Sequence, residues 1–356
     1  MTDREIDVSS RFRLRIEYNN MERRKIVRDR QASFGCFEGG RSQQRLRRAR
    51  LLAGAVALAV LSVVPASAQE RTVTDFRGEV AVPAEPERIA VLNLPALGDP
   101  LLTLGHAFIG APGADQPQNF GYLPEGALDG VINLGTPREI DLEALAAADP
   151  DLIIATDQNG PILDLLDAIA TTYVVDTTAM ATDRWTIVEQ LAEALGEEET
   201  LAAYRAEYDA RTSALRPRFE GSTVSFVRLV PDALLTYHGN SPIGALLSDI
   251  GLDVTSALEG VGEATGGPNY IVSLSPEQVG ALTGDYLIVY TENLSREEAE
   301  AVIGGALWQT IPAVAAGDVA LVVKSETDFL LLPWGRYGTM HDLDVIEEAL
   351  APLVAG

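Results

Sequence analysis

Apolar and polar positions along this chain fall into blocks that are typical of an α/β protein. Short apolar runs predict buried strands at 88–92, 151–156, 173–175, 223–230, 286–290 and 319–323. Helical spacing predicts helices at 95–104, 141–148, 161–170, 241–250, 295–303 and 341–353. Asp141 is the expected N-cap of the second helix, and Ser295 with Glu298 forms a capping-box pattern. This alternation predicts α/β lobes with mostly parallel sheets.

One spacing occurs twice in the chain. Glu143 stands eight residues before Asp151, and Glu277 stands eight residues before Asp285; each aspartate opens an apolar strand pattern. The copies lie 134 residues apart, which is too long for a solenoid repeat. The spacing instead indicates two lobes of similar build, each large enough for its own core, with a cleft between them that could hold a ligand.

The residues between the two copies predict a helical connector. From Trp185 to Ala214 the spacing is helical, with a break at Gly196 and an apolar stripe that continues to Pro217. The second half alone would span ~30 Å as a helix. We therefore divide the chain into a presequence at 1–68, a first lobe at 69–183, a connecting helix at 184–218 and a second lobe at 219–356.

The first 68 residues have the pattern of a secretory presequence. A basic segment leads into an apolar run from Leu51 to Val64, and small residues precede an expected cleavage after Ala68. This run is too short for a stable transmembrane anchor. The long basic part indicates either an upstream start with Met21 as the true one or, from Arg47-Arg48, a degenerate twin-arginine signal. We expect a periplasmic protein without stable membrane insertion.

Cysteine content bears on disulfides in the mature chain, and net charge bears on the kinds of molecule that the chain can bind. Cys36 is the only cysteine and lies in the presequence, so we expect no disulfide in the mature chain. Residues 1–68 hold 14 of the 27 basic and 7 of the 52 acidic residues, which leaves 13 basic and 45 acidic residues and a net charge of −32. Such a charge argues against nucleic-acid and anionic-membrane partners. Because few arginines remain, an arginine near the predicted cleft is informative about ligand binding.

The chain resembles the substrate-binding proteins of bacterial ABC importers for ferric siderophores, haem and vitamin B12. Its motifs are Val82-Pro83 with Pro86 to Leu92, Leu101 to Gly105, Asp141 to Glu143 with Asp149 to Ile154, and the helical region from Trp185 to Leu215. The resemblance covers roughly Thr72 to the C-terminus. It implies the fold of a class III periplasmic binding protein: two Rossmann-like α/β lobes joined by one long, stiff helix.

The resemblance also implies a function and a membrane partner. Such proteins deliver a preassembled ferric siderophore to an importer, and we expect this chain to do so as a monomer without a cofactor of its own. One glutamate on each lobe docks on permease arginines, and Glu143 and Glu277 match those positions. The plainer alternative is that each is a first-turn glutamate favoured by the helix dipole.

Candidate ligand-binding residues combine arginine donors with aromatic walls, which suit an anionic, partly aromatic chelate. Each could also be an ordinary surface, turn or core residue. The candidates are Arg138 and Tyr122 in the first lobe, and Arg228, Tyr237, His238, Tyr270, Trp334, Arg336 and Tyr337 in the second. We expect Tyr237 to Asn240 and Pro333 to Gly338 to be loops.

Other functions remain as alternatives. Haem or a corrinoid would suit the same architecture, and haem would need an axial ligand such as Tyr237, His238 or Tyr270. A secreted enzyme or sensor built on this frame is the rival outside the class. We do not expect an enzyme, because the chain lacks common catalytic motifs, nor a metal site, because its three histidines have no ligand spacing.

Overall fold

The structure is a computed structural model that describes residues 69–178, 183–230, 233–255, 263–264, 271–328, 330–331 and 335–354, with only the backbone described at 263–264. The presequence at 1–68 and the candidates Tyr270 and Trp334 lie outside the described residues. All described residues belong to one compact unit. None of their helices is long and apolar enough to cross a membrane.

The strands are mostly short, and each of the six predicted apolar runs coincides with one of them. They are β1 (Glu70–Asp75), β2 (Gly78–Pro83), β3 (Ile89–Val91), β4 (Gly110–Ala111), β5 (Ile132–Asn133), β6 (Gly135–Thr136), β7 (Glu139–Ile140), β8 (Leu152–Thr156), β9 (Thr171–Val175), β10 (Ser222–Val230), β11 (Ala233–Tyr237), β12 (Leu252–Val254), β13 (Glu263–Ala264), β14 (Ile271–Leu274), β15 (Tyr286–Thr291) and β16 (Val319–Val323).

Helices separate most of the parallel strands. They are α1 (Asp99–Thr103), α2 (Leu142–Ala147), α3 (Leu163–Asp167), α4 (Thr186–Leu195), α5 (Glu198–Phe219), α6 (Pro242–Asp249), α7 (Arg296–Ile303), α8 (Pro312–Ala316), α9 (Lys324–Thr327) and α10 (Arg336–Val354). A π-helical turn, Leu94–Gly98, leads into α1, and 3₁₀ turns occur at Pro117–Phe120, Asp157–Ile162, Pro276–Ala281 and Trp308–Thr310.

Two separate sheets confirm the predicted α/β architecture. The first has the order β5-β4-β3-β8-β9 and is wholly parallel. In the second, β12, β15 and β16 continue parallel from β10, whereas β11, β14 and β13 form an antiparallel extension. The sequence did not predict this extension, because its strands are short and lie between loop-like residues.

The repeated aspartate has the same structural role in both lobes. Asp151 accepts hydrogen bonds from the backbone N–H groups of Glu87 (2.7 Å) and Arg88 (3.0 Å), just before β3. Asp285 accepts bonds from the backbone N–H and the hydroxyl of Thr223, both at 2.8 Å, at the start of β10. Each carboxylate therefore joins the start of its own strand to the start of the parallel strand beside it.

The hydrophobic core consists of one cluster private to each lobe and a larger cluster that the lobes share. One cluster is private to the first lobe and includes Leu145 and Ile153; another is private to the second and includes Leu287. The largest cluster runs from Leu97 through the connecting helices to Phe226. The lobes are therefore packed against one another through a common interior.

The connector consists of two helices, as the predicted break at Gly196 requires. Gly196 ends α4 with a left-handed φ of 76°, a conformation that glycine adopts readily. Helix α5 then runs for 22 residues, which is ~33 Å of helix. It includes Pro217 in its last turn and ends at Phe219, one residue beyond the predicted connector at 184–218.

Two predicted loops are wrong in part. Tyr237 is the last residue of β11, and Arg336 begins α10, five residues before the predicted start of the closing helix. The glycines and prolines near Arg336 obscured the start of this helix. The first turn of this helix therefore determines the directions of the Arg336 and Tyr337 side chains.

Candidate functional site

The carboxyl ends of the second sheet carry a group of charged side chains. Arg228 lies near the end of β10, Glu292 directly follows β15, and Lys324 directly follows β16. Arg228 and Glu292 form an ion pair, and the Lys324 ammonium lies 3.8 Å from Glu292 Oε2. Ligands of open α/β sheets bind outside the carboxyl ends of the strands, so this group occupies a place suited to a ligand.

A loop of the first lobe reaches the segment that follows β16. A Cβ atom on Gly121 would lie 3.0 Å from Asp328 Oδ2. The adjacent Tyr122, half-buried, has a raised pKa because of burial and the nearby charges of Asp99 and Asp342. The carboxyl-side loops of the two sheets therefore meet at the junction between the lobes.

Asp99 of the first lobe binds the first turn of α10 in the second. Its carboxylate, 2% exposed, accepts hydrogen bonds from the backbone N–H groups of Tyr337 (3.1 Å) and Gly338 (2.7 Å). Thr103 Oγ1 accepts a third from the Arg336 N–H at 2.7 Å. A Cβ atom on Gly335 would lie 2.4 Å from the Asp99 side chain, so this approach requires glycine. The first lobe thus caps a helix of the second.

Arg184, at the start of the connector, is buried at the same junction. It donates hydrogen bonds to the Tyr208 hydroxyl of α5 (2.5 Å) and to Thr339 Oγ1 of α10 (2.9 Å). Its guanidinium also lies 4.3 Å from the Tyr208 ring centroid. Tyr208 in turn donates to Asp249 Oδ2 of α6 at 2.6 Å. One buried cation thus joins the connector to the second lobe.

Asp342 of α10 is fully buried beside this network. It accepts hydrogen bonds from the backbone N–H groups of Leu330 (2.9 Å) and Leu331 (3.2 Å). Burial raises its pKa to about 8, against the effects of these bonds and of Arg184. Burial likewise raises the pKa of Asp99 to about 6. The two carboxyl groups are near enough for the charge of Asp99 to raise the pKa of Asp342.

The predicted ligand residues of the second lobe do not form a single group. Arg336 is held by Glu207 of α5 in a two-pronged ion pair with both distances at 2.6 Å. With Tyr337 it lines a cavity of about 540 Å³ between α5 and α10. Arg228 instead lies at the carboxyl edge of the sheet. The structure therefore places the predicted arginines of this lobe in two different settings.

Tyr237 does not offer an aromatic face to a ligand in this structure, which corrects that prediction. Its side chain is 1% exposed, and its ring packs edge-on against Phe226 at 5.5 Å between centroids. Strand alternation turns it into the shared core. His238 follows in a loop, half-buried, and its carbonyl accepts bonds from the N–H and hydroxyl of Ser241.

Arg138 lies exposed in the turn between β6 and β7, just before α2. Every other arginine and lysine of the described residues contacts an oxygen atom of the protein, and Arg138 has no such contact there. Its guanidinium is therefore available to an anion from outside.

Glu143 and Glu277 occupy equivalent exposed positions. Each is the second residue of a helical turn, after the N-caps Asp141 and Ser275 respectively. Hydrogen bonds from its own backbone and from the Ser275 hydroxyl lower the pKa of Glu277. Both positions favour an anion because they lie beside free backbone N–H groups. This geometry fits docking and also fits the plainer role of a first-turn glutamate.

The sequence interpretation missed Asp99, Arg184, Asp342 and Glu292. Two of these residues could have been found from the sequence. Arg184 is one of few cations and opens the connector. Glu292 directly follows a predicted strand, much as Arg228 lies near the end of one. Asp99 could not have been found, because its partner Gly338 lies 239 residues away. Asp342 resembles any polar residue of an amphipathic helix. No group of three or more potential metal ligands occurs among the described residues.

Comparisons with known proteins give a consistent result. A family described as periplasmic binding protein matches residues 99–325, more than half of the chain. The ferric enterobactin-binding periplasmic protein FepB of Escherichia coli O6:H1 is 25% identical over 288 residues, which cover 75% of this chain and 88% of FepB.

Two solved structures share the fold. Staphylococcus aureus SirA, complexed with staphyloferrin B, superposes with a TM-score of 0.63 at 21% identity, over 80% of this chain and 98% of SirA. The petrobactin-binding protein YclQ of Bacillus subtilis has a TM-score of 0.63 at 20% identity, over 79% of this chain and 99% of YclQ. At these identities the likeness concerns the fold.

Proposed function

This chain belongs to the periplasmic binding protein family, and we propose that it captures a ferric siderophore and delivers it to an ABC importer. FepB, SirA and YclQ are each named for, or solved with, a siderophore. The observation that carries the proposal for this chain is the arginine-bearing carboxyl edge of the second sheet, in a fold shared with those proteins. A binding role without catalysis accords with this family.

The proposed ligand site lies between the carboxyl-side loops of the two lobes. Arg228 and Lys324 would supply positive charge from the second lobe, and Arg138 would supply it from the first. Tyr122 stands at the lobe junction as an aromatic wall. Siderophores that present carboxylates or catecholates would be bound by such donors through charge-assisted hydrogen bonds.

Delivery would use the two exposed glutamates. Glu143 and Glu277 have equivalent positions on the two lobes, so they present carboxylates at a separation that the shared core holds constant. Such a pair can orient the protein on two arginines of a permease and speed their encounter. This step would take place in the periplasm, after removal of the presequence.

The haem or corrinoid alternative is not favoured. FepB and YclQ are named for siderophores, and SirA was solved with one. Tyr237, one of the possible axial ligands for haem, is buried in the shared core.

A ligand titration tests the proposal. The mature chain, residues 69–356, would be titrated with ferric enterobactin, ferric staphyloferrin B, ferrichrome, haemin and cobalamin while tryptophan fluorescence is followed. We expect quenching by at least one ferric siderophore, since Trp185 lies at the lobe junction within 5.1 Å of the Tyr204 ring centroid. Binding of haemin or cobalamin, with no ferric siderophore bound, would overturn the proposal.

A further inference from the structure

The arginine that faces the proposed ligand site already forms an ion pair with a carboxylate of the protein itself. We propose that Glu292 is a built-in competitor, which an anionic group of the ligand must displace from Arg228, and that it thereby sets the selectivity of the site. This inference rests on the proposed function and adds to it a residue that controls which chelates bind.

The contacts of Arg228 show that its guanidinium is held chiefly by Glu292. One terminal nitrogen pairs with Glu292 Oε1, and Nε is buried with no hydrogen-bond partner among the described residues. The side chains of Arg228 and Glu292 are 28% and 23% exposed, so solvent reaches both. A buried donor without a partner is unusual, and it indicates that the protein alone does not use the full capacity of this arginine.

The contacts of Glu292 show that its carboxylate has other partners besides Arg228. Its Oε2 accepts a hydrogen bond from the Tyr290 hydroxyl at 3.4 Å and lies 3.8 Å from the Lys324 ammonium. Lys324 is exposed and can approach more closely, because its side chain is flexible. A Glu292 side chain displaced from Arg228 could therefore stay paired with Lys324.

The surrounding charges make this exchange sensitive to ligand charge. Arg228, Glu292 and Lys324 together carry one net positive charge. Another cation of this lobe, Arg296, is already paired with Glu326 and lies 4.0 Å from Glu300. A ligand with a single weak acceptor would gain little binding free energy by replacing Glu292, because Arg228 would lose one acceptor and receive only one in exchange. A ligand with several anionic oxygens gains more, because it can bind Arg228 and Lys324 together.

Neutralising Glu292 tests the inference. E292Q keeps the size of the side chain and an oxygen that can accept the bond from Tyr290, but it removes the competing charge. We expect ferric enterobactin, a trianionic tris-catecholate, and ferric staphyloferrin B to bind E292Q about tenfold more tightly than the wild type. Binding of ferrichrome, an uncharged trihydroxamate, should change less than twofold.

Two further variants separate local competition from general charge effects. E300Q removes one negative charge from the same lobe without touching Arg228, and its affinities should match the wild type. In the R228Q background, E292Q should give no gain, because the competition acts through Arg228. Thermal melting of every variant checks that the fold is retained.

The outcomes distinguish this inference from the proposed function. If ferric enterobactin or ferric staphyloferrin B binds the wild type and E292Q equally, or binds E292Q more weakly, Glu292 is no competitor and the proposed function stands. If the wild type and E292Q both bind ferrichrome and neither binds the other two siderophores, Glu292 is again no competitor and the proposed function stands. If no ferric siderophore binds either protein, both proposals fall.

Discussion

At the residue scale, the buried carboxyl groups at the lobe junction are the most unusual feature. Asp99 and Asp342 are both removed from water; the nearby cation is Arg336 for Asp99 and Arg184 for Asp342, and Tyr122 is close to both. Burial favours the neutral acid, so both pKa values rise above the ordinary carboxyl range near 4. The folded protein therefore holds protons here that the unfolded chain would release.

These protons predict a fall in stability with rising pH. Between pH ~4 and about 6 for Asp99, and up to about 8 for Asp342, the folded state binds more protons than the unfolded state, so the free energy of unfolding decreases as pH rises. In D342N the upper part of this dependence, from pH 6 to 8, should largely disappear. Urea unfolding of both proteins at several pH values between 5 and 8 measures it.

The control for this experiment is D344N, an exposed aspartate two positions along the same helix. It should keep the slope of the wild type from pH 6 to 8. A wild-type stability that is constant or rises over this range, or an unchanged slope in D342N, would show that Asp342 is ionised in the folded protein.

Residue roles were predictable from the sequence only where they follow local chemistry. Asp141 and Ser295 act as N-caps as expected, because a cap needs only its own neighbouring turn. Tyr237 was misjudged, because its setting depends on the pairing of β11 with β10 and β14. Asp99 and Gly335 could not be paired from the sequence, because the contact between them depends on how the two lobes pack.

At the scale of elements, the duplicated helix–strand unit places Glu143 and Glu277 alike. In both copies an N-cap residue precedes a proposed docking glutamate by two positions, and an aspartate joins the following strand to its parallel neighbour. The spacing in the sequence predicted this unit because both ends of it are fixed by local geometry. It did not predict that the second helix is a short 3₁₀ turn.

Charge reversal of both glutamates tests the docking proposal. E143R/E277R should abolish siderophore uptake by cells and leave the affinity for the siderophore within about twofold, because both side chains are exposed and neither pairs with Arg228 or Lys324. A small loss of stability is expected from placing cations at helix N-termini. Uptake of radioactive iron and titration of the purified protein measure the two effects.

The matched control is E199R/E297R, which reverses two glutamates in the first turns of α5 and α7. It imposes the same change of net charge and a similar cost at helix ends. Uptake should survive in this control. Equal uptake by E143R/E277R would assign those two glutamates to helix stabilisation alone.

At the scale of the whole molecule, the shared core determines how the lobes behave. Apolar side chains from Leu97 to Phe226 pack in one cluster, and Asp99 caps a helix of the opposite lobe. Opening or closing the lobes would break these buried contacts, so we expect a largely preformed site. The sequence predicted two lobes and a connector, but the pattern of apolar residues does not say which of them face the other lobe.

The central claim is that the molecule binds an intact ferric siderophore. Native mass spectrometry of residues 69–356, mixed with ferric enterobactin, ferric staphyloferrin B, ferrichrome, haemin and cobalamin together, identifies the bound species by its mass. We predict one molecule of a ferric siderophore, with its iron, on each protein monomer. A spectrum with haemin or cobalamin bound instead, or with the protein free at ligand concentrations of tens of micromolar or more, would contradict the account.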